Sequence, residues 1–303
     1  MADAYFNNAI STSFFDAGNW WSNSDFTAPY PSGVPDTSIA ALTLDIGNGS
    51  ADIICDTVSP ISMDATLVVT TNATLNIGSG FDLQFDGELT INGTCNNVST
   101  FTNDGTLNNN LNFTNSSIFV NNNSFENYNT FNNAGTFTTG GGFFNNNGGN
   151  FFNSSGTFNN NGGVFTNSGT FSNNSSFING GGVFNNNSGF TNSSTFINNS
   201  DFTNNGTTTN DGTVTNNAAN FNNTGTFTNN TTFTNNATLT NSITLINNGT
   251  FTMATGAFLS IRPTATFTNN GTFIYGNKYT TRFKGEIFPQ VPSSAAFGTA
   301  ILF

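Results

Sequence analysis

The chain reads as an all-β protein: a single-stranded parallel β-solenoid (β-helix) of about 18–21 residues per coil, with three short strands to each coil. Three observations predict this. A large apolar residue recurs every six or seven positions through most of the chain. Charged residues make up only 7 % of the 303 positions, while there are 35 Phe and 59 Asn. The position two before each apolar anchor is usually small. A typical globular chain is about 25 % charged, and a disordered polar chain lacks such aromatic mass. Stacked strands fit both facts, with Phe inside and Asn and Thr hydrogen-bonding outside.

The anchor series carries the argument. Phe101, Leu107, Phe113, Phe119, Phe125, Phe131 and Phe137 are six apart. Phe144, Phe151, Phe158 and Phe165 follow at seven, then Phe171 and Phe177 at six, Phe184 at seven, and Phe190, Phe196 and Phe202 at six. After Thr208, where an anchor is missing, come Val214, Phe221, Phe227, Phe233, Leu239, Leu245 and Phe251. Residues i and i+2 of a strand share a face. The small residue and the anchor therefore point inward together, with Thr between them pointing out. The Asn-Asn or Asn-Gly pair that follows turns the chain, because Asn and Gly tolerate turn conformations. Phe101, Phe131, Phe137, Phe158, Phe171, Phe184, Phe196, Phe227 and Phe251 form the predicted core ladder.

A helix is excluded, because a spacing of six puts successive anchors about 240° apart around a helix and gives no stripe. Three units make a coil, and residues 162–167 recur at 181–186, nineteen positions on. The extra residue of a seven-residue step sits in Gly pairs or triples, as at Gly140–Gly142, in keeping with bulged corners. Consecutive seven-residue steps suit a right-handed coil better than a strict left-handed hexapeptide coil, and right-handed is favoured.

Four segments follow in order. Residues 1–36 are an aromatic- and Pro-rich opening or docking segment. Residues 37–100 alternate with aliphatic anchors, among them Leu42, Leu44, Leu67, Val69, Leu75, Ile77, Leu89 and Ile91, and form longer strands of the same solenoid. Residues 101–275 are the Asn/Thr/Gly/Phe-rich body. Residues 276–303 are basic and then apolar, a cap or a donor strand. Cys55 and Cys95 are two coils apart, near 9.6 Å at a rung spacing of about 4.8 Å, beyond the roughly 7 Å that a disulfide spans. Buried free thiols are the first expectation and a disulfide across an irregular coil the second.

The stretches Asp16-Ala17-Gly18-Asn19-Trp20, Val34-Pro35-Asp36 and Thr43-Leu44-Asp45-Ile46 resemble the opening of bacterial secreted β-helix and autotransporter-type adhesins. The Asn-Asn-Gly-Thr-Phe-Thr-Asn units are similar to filamentous-haemagglutinin-like solenoids. The resemblance implies secretion and a role at the cell surface or in a matrix. This chain departs from that pattern in placing Phe rather than Leu or Val inside, and in being short.

Composition argues against chemistry. There is no His, so Ser-His and Cys-His pairs cannot form within the chain. Between residues 105 and 260 the carboxylates are Glu126, Asp201 and Asp211 alone, too sparse for the paired acids of a glycosidase. The expectation is no enzyme, no catalytic residue, no metal and no cofactor. The Asp52/Asp56 and Asp82/Asp86/Glu88 clusters read as solvated corners before they read as Ca²⁺ sites. Asn-x-Ser/Thr sequons such as Asn72, Asn115, Asn192, Asn236 and Asn248 follow from composition. The acidic balance, a net charge of −12, disfavours nucleic acid. No apolar run is long enough to span a membrane, and the N-terminus lacks the pattern of a secretory signal peptide.

Charge is segregated. Asp3, Asp16, Asp25, Asp36, Asp45, Asp52, Asp56, Asp64, Asp82, Asp86, Glu88 and Asp104 fall in the first third, which has no basic residue. Arg262, Lys278, Arg282 and Lys284 lie near the C-terminus. In a quasi-one-dimensional fold sequence position maps to axial position. The expectation is a non-catalytic extracellular or cell-surface structural protein, a head-to-tail fibre subunit or adhesin, whose main partner is itself. The assembly interface would comprise Phe14, Phe15, Trp20, Trp21, Lys278, Arg282, Lys284, Phe297, Ile301, Leu302 and Phe303. The alternative is a monomer that binds glycan or ice through a solenoid face, the latter suggested by Thr-Phe-Thr strands such as Thr226/Thr228 and Thr232/Thr234.

Overall fold

The computed structural model describes residues 3–6, 20–22, 29, 43–46, 49–53, 61–64, 66–78, 82–217, 220–275 and 301–302. No helix occurs among them. The chain divides into two compact units, residues 1–157 and 158–303, and each is a three-faced parallel β-solenoid with one strand per face per turn.

In the first unit, face A stacks Thr43–Ile46, Thr66–Val69, Glu88–Ile91, Thr106–Asn109, Ser124–Asn127 and Phe143–Asn146. Face B stacks Gly49–Ile53, Ala73–Ile77, Thr94–Asn97, Asn112–Asn115, Thr130–Asn133 and Asn150–Asn153. Face C stacks Ile61–Met63, Asp82–Phe85, Thr100–Asn103, Ile118–Asn121 and Thr136–Thr139. Consecutive strands visit A, B and C in turn, so each pairs with the strand three later. In the second unit, face D stacks Val164–Asn167, Val183–Asn186, Phe202–Asn204, Asn220–Asn223, Thr238–Asn241 and Phe258–Ile261. Face E stacks Thr170–Asn173, Gly189–Asn192, Thr207–Asn210, Thr226–Asn229, Thr244–Asn247 and Thr266–Asn269. Face F stacks Ser176–Asn179, Thr195–Asn198, Thr213–Asn216, Thr232–Asn235, Thr250–Met253 and Thr272–Tyr275.

The repeat length matches the expectation through most of the body, where equivalent residues on adjacent rungs are 18, 19 or 20 apart, and it widens to 22 at the last rung. Val164 pairs with Val183 and Phe165 with Phe184, so the nineteen-residue recurrence is one turn. All nine predicted core-ladder Phe are fully buried. Rings on the same face of adjacent rungs stack, as Phe158 on Phe177 at 4.8 Å and 6° and Phe171 on Phe190 at 4.8 Å and 7°. Rings on different faces meet edge to face, as Phe171 and Phe177 at 5.2 Å and 80°. Within each unit three ring columns interlock, the offset-stacked and T-shaped geometries that aromatic quadrupoles favour.

One expectation needs correction. The first Asn of each Asn pair does not turn the chain at the surface; it is the last strand residue and points inward. A strand such as Thr226–Asn229 alternates half-exposed and buried, with Phe227 and Asn229 both inside. The physical reason is the same two-residue parity that places Phe inside. These asparagines stack as continuous ladders: Asn97 Nδ2 donates to Asn115 Oδ1 at 2.7 Å, Asn115 to Asn133 at 2.7 Å, and Asn133 to Asn153 at 2.8 Å. Many of these amides also donate to the backbone of the next turn, as Asn97 to the Ile118 carbonyl at 2.8 Å. Burying an amide is costly unless it is paired, and within a run of the ladder each amide is paired with those of the rungs on either side. Outward Asn ladders exist as well, on the corners, as from Asn110 to Asn92 and from Asn248 to Asn230.

The aliphatic segment obeys the same geometry with apolar residues at both inward positions: Leu67 and Val69, Leu75 and Ile77, Leu89 and Ile91 are all buried. The change to Phe-plus-Asn comes at residues 95–109 and leaves a seam. Asn103 lies beside Phe85 and Asn109 beside Ile91, so the Oδ1 atoms of Asn103 and Asn109 are buried without a partner. The first Asn on face B escapes this, because its Oδ1 accepts the Ser99 N–H at 3.2 Å.

Corners explain the small residue two before each anchor. A Cβ on Gly135 would land on the Ser117 carbonyl oxygen of the rung below. Gly148, in the wider corner between Phe144 and Phe151, has φ of 100°, a conformation that only Gly adopts cheaply.

Candidate functional site

The carboxylates are dispersed. Asp104 and Asp211 start corner ladders, accepting from Asn122 at 2.8 Å and Asn230 at 2.7 Å. Glu126 accepts from Asn145 at 2.8 Å and from Asn147. Asp201 contributes its backbone carbonyl to Asn179 at 2.9 Å. The carboxylates of Asp104, Glu126 and Asp211 are thus absorbed into solenoid hydrogen bonding, whereas Asp201 joins it through its backbone. Among the described residues no three His, Cys, Asp or Glu side chains gather where a metal could sit. Asp52 lies on a face B strand, and Asp56 lies outside the described residues.

Cys95 is a buried free thiol on face B between Leu75 and Phe113. Desolvation pushes its pKa well up, which makes it an inert hydrophobic side chain. Cys55 lies outside the described residues.

The proposed assembly residues are only partly placed. Trp20 and Trp21 form a short strand antiparallel to Asp3–Phe6, which in turn pairs in parallel with Thr43–Ile46 on face A; Trp21 also bridges to Pro29. Ile301–Leu302 pairs in parallel with Ile274 and Tyr275 of face F. Phe14, Phe15, Lys278, Arg282, Lys284, Phe297 and Phe303 lie outside the described residues. Among the described residues, faces D and E end at Phe258–Ile261 and Thr266–Asn269 with no further strand beyond them.

The outward positions of the strands make the broadest surface feature. In the second unit they are dominated by Thr on faces E and F, while face D mixes Val164, Thr166, Val183, Asn185, Thr203, Asn220, Asn222, Thr238 and Thr240. Thr-Phe-Thr strands stand out in the sequence, and which of them align follows from the one-in-three strand order. No family model, curated protein or solved structure matches this chain.

Proposed function

We propose that this protein is a non-catalytic structural element of the cell exterior, a solenoid that assembles head to tail into a fibre or surface adhesin. The observation that carries the reading is the open parallel edge at the end of the second unit. The outer edges of faces D and E meet no strand among the described residues, and the face E Asn ladder runs out to Asn269 on the last of those strands. An open parallel edge is a template for another chain, and a heterologous contact between opposite ends grows without closing. The acidic first third and basic C-terminal region supply complementary charge for that contact. Surface chemistry agrees: a solenoid stitched by amide ladders does not depend on ion pairs for cohesion.

Against this stands the Ile301–Leu302 strand, which occupies the edge of face F within its own chain. The fibre reading requires that a neighbour's first rungs meet faces D and E beside it, or that they displace it. Negative-stain electron microscopy of the purified full chain at low and high salt tests the proposal. Unbranched filaments are expected below about 0.1 M salt, with assembly weakening above it, where the Debye length drops under about 10 Å. Discrete monomers at high protein concentration in both conditions overturn it.

A further inference from the structure

Face F of the second unit carries a surface that the fibre reading does not use. Thr195, Thr213, Thr232, Thr250 and Thr272 stand side by side on five successive rungs. Two residues further along, Thr215, Thr234 and Thr252 form a second column, flanked by Ile197 and Ile274. Rungs are about 4.8 Å apart and residues i and i+2 about 6.7 Å apart, so the two columns make a rectangular grid of methyls and hydroxyls. Face E offers Thr207/Thr209, Thr226/Thr228 and Thr266/Thr268, but Ile246 breaks its second column. Face F has the longest unbroken double run.

Three features make the grid an ordered one. The rungs of Thr195, Thr213 and Thr232 are backed by the Asn ladder from Asn179 to Asn198, Asn216 and Asn235 at 2.8, 2.9 and 2.8 Å, side-chain ladders of this kind hold stacked strands against twist, and on the next rung Met253 takes the place of Asn. Thr is stiff at χ1. Among the described residues, the hydroxyls of Thr213, Thr215, Thr232, Thr234, Thr250 and Thr252 make no hydrogen bond within the chain. By contrast, the corner hydroxyl of Thr224 is used internally, on the Asn204 carbonyl at 3.1 Å.

The partner follows from what the grid has and lacks. It carries no charge, so it does not fit a polyelectrolyte. It carries no Trp, Tyr or Arg, so it lacks the anchors of a protein interface. It is a sheet face and not a cleft, so it does not enclose a small molecule. It repeats in two dimensions, each hydroxyl both donating and accepting, with a methyl beside every hydroxyl. A ligand matching this must itself be a two-dimensional lattice of hydrogen-bonding sites with apolar gaps. We propose that face F binds the surface of ice. A rigid, preorganised grid binds with little ordering cost, and avidity accumulates over the rungs. The inference goes beyond the fibre reading, since a monomer presents the same grid.

The test is thermal hysteresis of the purified full chain, together with enrichment of the labelled protein on a growing ice crystal. Wild type is expected to show both. Thr234→Lys, at the centre of face F, should cause a several-fold drop in each, with the β-sheet circular-dichroism spectrum retained. Thr240→Lys, an outward Thr of face D, should leave both at the wild-type level. If Thr234→Lys does not fold, Thr234→Tyr probes the same position by bulk alone. Absence of hysteresis in wild type, wild-type hysteresis in a folded face F variant, or an equal loss in Thr240→Lys overturns the proposal. Filament imaging is scored separately, so ice activity without filaments counts against the fibre alone.

Discussion

At the scale of the residue, Phe and Asn hold different parts of the fold. Burying a Phe contributes about 1.5–3 kcal/mol, whereas a satisfied amide hydrogen bond contributes a net of about 0.5–1.5 kcal/mol. Phe thus drives collapse. Asn matters because of what happens when a partner is missing: an orphaned buried polar group costs about 1–3 kcal/mol. Phe177→Ala should destabilise by about 3–5 kcal/mol, read as a lower denaturant midpoint. Asn179→Ala removes the donor to Asn198 and to the Asp201 carbonyl and should cost about 1–3 kcal/mol. Thr208 occupies an anchor site and donates to Asn204 at 2.9 Å. Because Asn204 Oδ1 also accepts from Asn186 at 2.8 Å, Thr208→Val leaves no orphan and should change stability by less than about 1 kcal/mol. Cys95 should resist thiol reagents in native protein carrying Cys55→Ser and react fully in denaturant. Its raised folded pKa means the unfolded chain loses the proton first. The associated stability is full below the ordinary thiol pKa of about 8.5 and declines as pH rises above it.

At the scale of the element, each unit is one four-residue strand and a corner, and the corner has the tighter steric limits. Gly135→Ala puts a methyl against the Ser117 carbonyl and should destabilise by more than about 1 kcal/mol. Gly189 opens a strand of face E, with nothing near its missing Cβ. Gly189→Ala should be neutral or stabilising by up to about 1 kcal/mol. Thermal melts of the pair separate corner sterics from chain entropy. Register also belongs to this scale. A slip of one residue turns Phe outward, and a slip of two opposes Phe to Asn. A slip of one whole unit would again match Phe to Phe, and here the seven-residue steps and Thr208 act as markers that break the degeneracy.

Strand existence, length and the inward Phe were legible because periodicity is a local signal. The inward Asn was equally implied by parity, since the position two after Phe repeats Asn as regularly as the anchor repeats. It was obscured because Asn is so strong a turn residue elsewhere. The Thr grid was half legible: single Thr-Phe-Thr strands stand out, but not which of them are neighbours.

At the scale of the whole molecule, stability is a sum over rungs and nearest-neighbour contacts. Hydrogen exchange on Phe177→Ala should therefore show faster exchange in the rungs that touch it, with rungs several turns away in the same unit keeping wild-type protection. Uniform acceleration throughout the unit would show a cooperativity longer in range than the ladders supply. By itself the sequence determined that the chain coils, how long each turn is and which aromatic rings are dry, because a six- or seven-residue period with two-residue parity has one economical packing. Only the tertiary structure decided which strands share a face, where buried amide ladders begin and fail, and which threonines form a surface. Those depend on pairing each strand with the one three later, a contact across eighteen or more residues that no local pattern encodes.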